Sequence, residues 1–348
     1  MTCIARRSAL AAIGAIGAVG FGRFGPIGKA LADPEPIQLR CSIETPPHHA
    51  RNEFVRQYLD MVSKASGGRI ATKLFESGSL FADRNVPKAL IQGQVEMGVP
   101  LTFMMSGIVH DANVFELPIC YGRTAEEVSN LIAGPVGEEI ARQFEQKLRV
   151  HVLGEWLPDG FQDYFSTKKP LNSYADLKGL TVRTAGGTLQ FKRISFLGAI
   201  PLEVPWPEVP LGMSQGTFDA LATVDDSAVA GQLWDAGLHY GLEDHQELVQ
   251  YVPIVSDIFW SRLTPDLKQM MVDIWAKHIH AWQAQTLVDA ETAVGKLKSH
   301  GVKVVTPPSS MVVELRNAML PHQDEWAKQA GISADMVKLV NTAFEHRA

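Results

Sequence analysis

An arginine at the end of a short strand, followed by a glycine pair, is the pattern in this sequence best suited to holding an anion. Residues 176–187 read Asp-Leu-Lys-Gly-Leu-Thr-Val-Arg-Thr-Ala-Gly-Gly. Leu180 and Val182 alternate with Thr181 and Arg183, so the apolar pair faces a core and Arg183 faces the other way. A guanidinium there, beside flexible backbone at Gly186-Gly187, can grip a carboxylate or sulfonate with two parallel donors. The same side chain could equally close an ordinary surface salt bridge. Asp225-Asp226 offers paired carboxylates for acid–base work or for a cation. It could also be the N-cap of a helix entering Ser227-Ala228-Val229. His48-His49 sit in a proline loop, where lining a polar pocket suits them better than zinc. His278 and His280, two apart on a helix, point to different faces and cannot share a metal. No G-x-S-x-G elbow, Walker loop or H-E-x-x-H motif occurs. No nucleophile–base pair can be placed, so an enzyme is disfavoured, and neither cofactor nor metal is expected.

The elements that must position these residues follow an α/β grammar. A strand at Ile37–Ile43 leads through a loop into a helix with apolar residues at Phe54, Tyr58, Met61, Val62 and Ala65. Ile70, Thr72 and Leu74 alternate as a second strand, and Val95–Val99 form a third. Residues 124–148 read as a helix and Val150–Trp156 as a strand. Pro158-Asp159-Gly160 then reads as a chain break and a crossing into a second domain. There the pattern repeats: the strand holding Arg183, a helix from about Thr188 to Leu197, an extended Leu202–Val204, a helix opened by Pro207, and a strand at Phe218–Ala222. Tyr251–Ser256 reads as the return crossing. Neither glycine nor proline interrupts 266–294, and Leu267, Met271, Ile274, His278 and Trp282 fall on one stripe. Such a helix would be about 40 Å long, enough to brace both domains. Strand–helix–strand units of this size predict mostly parallel sheets flanked by helices.

With 348 residues, 46% hydrophobic and 20% charged, the chain can bury one large or two medium cores. Residues 1–32 read as a signal peptide. Arg6-Arg7 precede an apolar stretch from Ala9 to Phe21, and Ala30-Leu31-Ala32 offers a cleavage site. That run is too short to span a bilayer, and the arginine pair is compatible with twin-arginine as well as general export. Gly20–Gly25 matches G-x-G-x-x-G by letter, but no strand precedes it and no acid follows at the right distance. The leader has four positive residues and no acid, so its loss takes the formal charge from −6 to −10. An acidic, exported chain without a lysine–arginine run is a poor nucleic-acid partner and is expected to be soluble. Beyond Cys3 in the leader, Cys41 and Cys120 each lie in an apolar run. They read as buried thiols, with a single bridge between them left open.

Further short stretches now matter by their order and spacing. They are Ser66-Gly67-Gly68-Arg69-Ile70, Phe75-Glu76-Ser77-Gly78-Ser79-Leu80, Gly93-Gln94-Val95-Glu96-Met97-Gly98 and Phe115-Glu116-Leu117-Pro118. Leu177-Lys178-Gly179 through Arg183, Val204-Pro205-Trp206-Pro207-Glu208-Val209, Gln215-Gly216-Thr217-Phe218-Asp219 and Phe259-Trp260 continue the series. Over nearly all of the mature chain this resembles the DctP-type substrate-binding proteins of tripartite ATP-independent periplasmic (TRAP) transporters.

The resemblance implies a two-lobed periplasmic solute-binding fold, type II-like, with crossing strands and a long helix spanning both lobes. On this reading lobe I is 33–157 plus about 250–289, and lobe II is 158–249 plus about 290–348. It implies that Arg183 pairs with the carboxylate of a small organic anion, and that Trp206 closes over the ligand, although a tryptophan between prolines also suits lobe packing. First-lobe polar contacts would come from His48 or Thr102; Phe161, Gln162, Thr223, Asp225 and Asp226 complete the expected lining. Two departures stand out. Many members carry an arginine in a G-x-R turn where this chain has Gly160-Phe161-Gln162. Many also follow Gly-x-x-Asp with Gly-Gln-Glu-Asn, where this chain has Ala220-Leu221-Ala222-Thr223. One cation fewer and acids nearby fit a monoanion carrying hydroxyl or amino groups better than a dicarboxylate. The implied partners are TRAP membrane permease subunits. The alternatives are an exported enzyme acting on a small organic acid, or a binder serving a sensor or an ABC importer.

Overall fold

The computed structural model describes residues 35–345. The leader and its cleavage site near Ala32 lie outside the described residues. Twelve strands are assigned: β1 (Ile37–Ser42), β2 (Ile70–Phe75), β3 (Met97–Gly98), β4 (Val150–Val152), β5 (Leu157–Ser166) and β6 (Thr181–Thr184), then β7 (Ile200–Glu203), β8 (Ala220–Val224), β9 (Tyr240–Leu242), β10 (Leu248–Tyr251), β11 (Ile254–Ser256) and β12 (Lys303–Val305). They form two sheets, one ordered β2-β1-β3-β11-β4, the other β12-β9-β5-β8-β6-β7 with β10 on β5.

The sheets are mixed. β1 pairs parallel with β2 and β3, and β6 with β7 and β8. The strands that cross between the sheets supply antiparallel pairs: β5 with β8, β9 and β10, and β11 with β3 and β4. Here a sequence expectation fails. Pro158-Asp159-Gly160 does not break the chain but lies within β5, where Gln250 opposes Pro158 beside a register shift at Val249/Gln250. The first half of β5 pairs only with β10, so the N–H that Pro158 lacks is not needed by a third strand.

The stretch 124–148 is two helices, Ala125–Ile132 and Pro135–Leu148. Thr124 and Glu127 form a capping box at the first, and Pro135 takes the opening position of the second, where no backbone donor is lost. The long helix runs Pro265–Ser299, 35 residues, or about 52 Å. Gly295 does not stop it, because the flanking turns are packed: Ala293 and Leu297 are buried. Its inward stripe is Leu267, Met271, Trp275, Ile279 and Trp282, one position on from the expected Ile274 and His278. His278 instead stacks on Trp282. The first turns pack with Leu39, Tyr58 and Val255, while Leu297 packs with Trp206 and Phe218, so one helix braces both sheets. The C-terminal helices bury Leu315, Met319, Trp326 and Val340 alongside Ile140 and Phe144. Cys41 and Cys120 are free, buried thiols in separate cores.

Candidate functional site

Arg183 stands on β6 between β7 and β8, opposite Leu202 and Leu221. Val182 enters the core with Leu180 and Ala222, which turns Arg183 to the other face of the sheet, as the alternation requires. The glycine pair after it is a fixed turn: Gly186 and Gly187 have φ of 119° and 99°, and the Gly187 carbonyl accepts the first bond of the helix Thr188–Phe196, from Phe191 N–H.

The guanidinium is 2% exposed. Nε donates to the Val204 carbonyl at 2.9 Å and Nη1 to the Ala222 carbonyl at 3.4 Å. Cζ lies 5.5 Å from the centre of the Trp206 ring. Among the described residues no carboxylate comes within 4.0 Å of it, whereas the buried Arg51 pairs with Asp83 at 2.5 Å and the buried Arg193 with Glu247 at 3.1 Å. Burial pushes the Arg183 pKa down to about 10, with Glu44 and Glu203 pulling the other way. It therefore remains charged at neutral pH: a buried cation without a carboxylate partner among the described residues, held by carbonyls and able to receive an anion.

It lines a cavity between the two sheets of about 40 Å³, room for about three water molecules. One wall comes from the β1 side. There Arg51 donates to Thr45 Oγ1 at 2.8 and 3.1 Å and to the Val99 carbonyl at 3.0 Å, and its guanidinium lies 4.1 Å from the Tyr251 ring centre. Glu44 accepts the Asp83 N–H at 3.0 Å and Asp83 accepts the Glu44 N–H at 3.2 Å. Asp159 and Gln162 project from β5, and Tyr251 from β10. Phe103, Val224 and Val249 make a small apolar cluster, and all three line the cavity. Burial, with Asp83 adding to it, pushes the Glu44 carboxyl up to about 7, and burial likewise pushes Asp159 to about 7. Near neutrality both can donate or accept a hydrogen bond. Two roomier hollows, of about 580 Å³ beside Trp156 and about 820 Å³ along the C-terminal helices, contain no buried cation, so size alone does not mark the site.

Of the residues singled out in the sequence, Arg183, Trp206, Gln162 and Thr223 line this cavity. Trp206 also packs against Val209, Phe218 and Leu233, so it is part of the lobe's packing as well as of the cavity wall. Thr102 is buried but its neighbours Leu101 and Phe103 face the cavity instead. His48 is exposed. The inward histidine is His49, whose Nδ1 accepts from Arg51 N–H at 3.2 Å and whose Nε2 lies 3.0 Å from Ser227 Oγ and 3.4 Å from Asp159. Burial, then Arg51, holds His49 well below its ordinary pKa, so this is a neutral imidazole. Phe161, Asp225 and Asp226 face a separate cavity on the far side of Asp159 and Val224. Nor do the aspartates cap their helix: Val224 is its N-cap, Asp225 and Asp226 fill its first turn, and Asp226 accepts from Ala50 N–H at 3.2 Å.

Sequence reasoning missed Glu44, Thr45, Arg51, Asp83, Asp159, Ser227 and Tyr251. One signal was present. Arg51 continues the apolar stripe through Val55, Tyr58 and Val62, and an arginine on a buried stripe requires partners.

The model of the bacterial extracellular solute-binding proteins, family 7 (DctP), matches residues 41–329. The chain belongs to this family. Among similar family 7 proteins is the 2,3-diketo-L-gulonate-binding periplasmic protein of Escherichia coli, 23% identical over 306 residues, 87% of this chain and 91% of that one. The C4-dicarboxylate-binding periplasmic protein of Rhodobacter capsulatus is 23% identical over 314 residues, covering 89% and 91%. A TRAP periplasmic solute-binding protein from Ralstonia eutropha, solved with bound (S)-2-acetolactate, superposes with a TM-score of 0.82 at 25% identity, covering 89% of this chain and 99% of that one. The sugar-acid-binding protein of Advenella mimigardefordensis, solved with galactonate, gives 0.82 at 19% identity, covering 90% and 99%. The two-lobed fold of this solute-binding family is thus also the fold of this chain.

Proposed function

We propose that this protein captures a small organic anion outside the cytoplasm and hands it to a TRAP-type membrane permease, with Arg183 gripping the anionic head. The observation that carries this reading is a buried guanidinium with, among the described residues, no carboxylate within 4.0 Å, facing a cavity between two sheets. Two charge-assisted bonds netting about 1.5–3 kcal/mol each, plus burial of ligand carbon against Trp206 and Phe103, are enough for micromolar affinity, about −8 kcal/mol. Similar proteins are named for keto, hydroxy and dicarboxylic acids. Among the described residues that line this cavity, Arg51 is paired with Asp83 and Arg183 has no such partner, while Glu44 and Asp159 stand close by, so the fitting ligand is a monoanion whose hydroxyl, keto or amino groups meet those two acids. Thr223 and Gln162 supply further polar contacts. Lobe movement takes place about the crossings near 157 and 250, and the leader is removed near Ala32 on the way to the periplasm. Thermal-shift screening of the purified protein tests the ligand class. Short hydroxy or keto monocarboxylates and sulfonates should raise the melting temperature more than succinate does. A preference for succinate would overturn the monoanion assignment, and no response to any organic acid or sulfonate would overturn the function.

A further inference from the structure

The cavity on the far side of β5 is bordered by acids, where the first holds the Arg183 guanidinium. It measures about 280 Å³ and is bordered by Asp225, Asp226, Glu243 and Glu291, with Phe161 and Leu287 among its apolar walls. Asp225 is the informative member. It is 7% exposed, lines the cavity, and its Oδ1 is buried with no hydrogen-bond partner among the described residues. Of the other charges here, His245 lies 3.6 Å from Glu243 and stacks on Phe161, and Asp226 is engaged by Ala50 and by His49 at 3.7 Å. His245 and then Lys298 attract Asp225, Lys296 attracts Asp226, and the buried Asp163 and Asp225 repel each other, but among the described residues neither lysine closes a salt bridge. A buried carboxylate left in that condition is costly unless a positive group arrives.

We propose that this cavity is a second ligand site, which takes a small organic cation of the alkylammonium class. A metal ion is disfavoured, because among the described residues no three His, Cys, Asp or Glu side chains converge closely enough to hold one. The acids are instead spread around apolar walls at a volume near the lower end for small-molecule sites, about 300 Å³, which suits an ammonium on a short hydrocarbon. Burial, and then Glu243, pushes the Asp225 pKa up to about 7, so occupancy by a cation should strengthen as pH rises past neutrality. The site uses none of the Arg183 contacts and stands or falls apart from the anion-binding reading.

Calorimetry at pH 8 with butylammonium and tetramethylammonium as probes, and calcium and sodium chloride as controls, tests this. The expected result is saturable binding of an alkylammonium, weakened at least tenfold by Asp225→Asn and unchanged by Arg183→Lys. Glu291→Gln, at an exposed position that does not threaten folding, should weaken binding about threefold by removing one charge, and decides the matter if Asp225→Asn does not fold. The proposal is overturned by any of four outcomes. These are no heat with either probe, equal affinity in the charge-removing variants, loss of binding in Arg183→Lys, or saturable binding of calcium in preference to the amines.

Discussion

At the residue scale the protein separates opposite charges across one strand. Among the described residues Arg183 is a cation without a carboxylate partner on one side of the Asp159–Phe161 segment, and Asp225 an acid without a salt bridge on the other. Each has a pH consequence. The Asp225 carboxyl is raised from about 3.9 in an unfolded chain to about 7 when folded. The native state therefore binds the extra proton, and the stability it brings is full below about pH 4 and lost as pH rises through about 7. Asp225→Asn should accordingly raise the melting temperature at pH 8 by about 2–4 °C and leave it nearly unchanged at pH 4; an equal change at both would contradict the burial argument. In the anion cavity, Glu44 and Asp159 lose their protons through about pH 7 and then compete with the ligand for Arg183. Affinity for a hydroxy or keto monoanion should fall between pH 6 and 8 in calorimetry, whereas a rise would indicate a ligand bearing its own ammonium group. Arg183 was legible in the sequence because strand alternation places it opposite a core. Asp83 and Asp159 were not, since nothing local separates a buried aspartate from one in a surface turn.

At the element scale, order and type were readable and boundaries less so. The strand alternations at Ile37, Ile70 and Val182 survive in the fold because in each the apolar side chains enter a core, Leu39 and Cys41 in β1, Ile70 in β2 and Val182 in β6. Pro158-Asp159-Gly160 misled, since proline interrupts a strand only where the ladder needs its missing N–H, and β5, paired there with β10 alone, does not need it. The long helix outran its expected end because tertiary packing of Ala293 and Leu297 outweighs the roughly 1 kcal/mol disadvantage of Gly295. Gly187 shows the opposite case, a glycine the fold requires. Its φ is 99°, and an added Cβ would sit 3.1 Å from Glu116 Oε2. Gly187→Ala should cost about 1–3 kcal/mol and weaken anion binding, because the turn it distorts follows Arg183 directly. Calorimetric unfolding and ligand titration check both, and a variant as stable as the parent would show the turn to be adaptable.

At the scale of the whole molecule the space beside Arg183 is small and is bordered by contacts between the two sheet layers. Arg84 reaches Glu203 at 2.9 Å, Ala50 N–H reaches Asp226, and His49 faces Ser227, each contact joining the two sheet layers. A space of about 40 Å³ is far below the roughly 300 Å³ typical of small-molecule sites, so a ligand can enter only when these contacts part. Hinge movement about β5 and the β10–β11 crossing meets that need without unfolding either core. Arg84→Ala removes one exposed contact and should leave the melting temperature within about 1 °C while favouring the open form, read as a larger radius of gyration in solution scattering. An unchanged radius would remove that pair from closure. The most direct test of the central assignment is calorimetric titration of the best anion from the screen into the parent and Arg183→Lys proteins. A lysine keeps the charge but loses the planar fork, so affinity should drop well over tenfold while the melting temperature of the empty protein stays nearly the same. Unaltered affinity in Arg183→Lys would contradict the assignment.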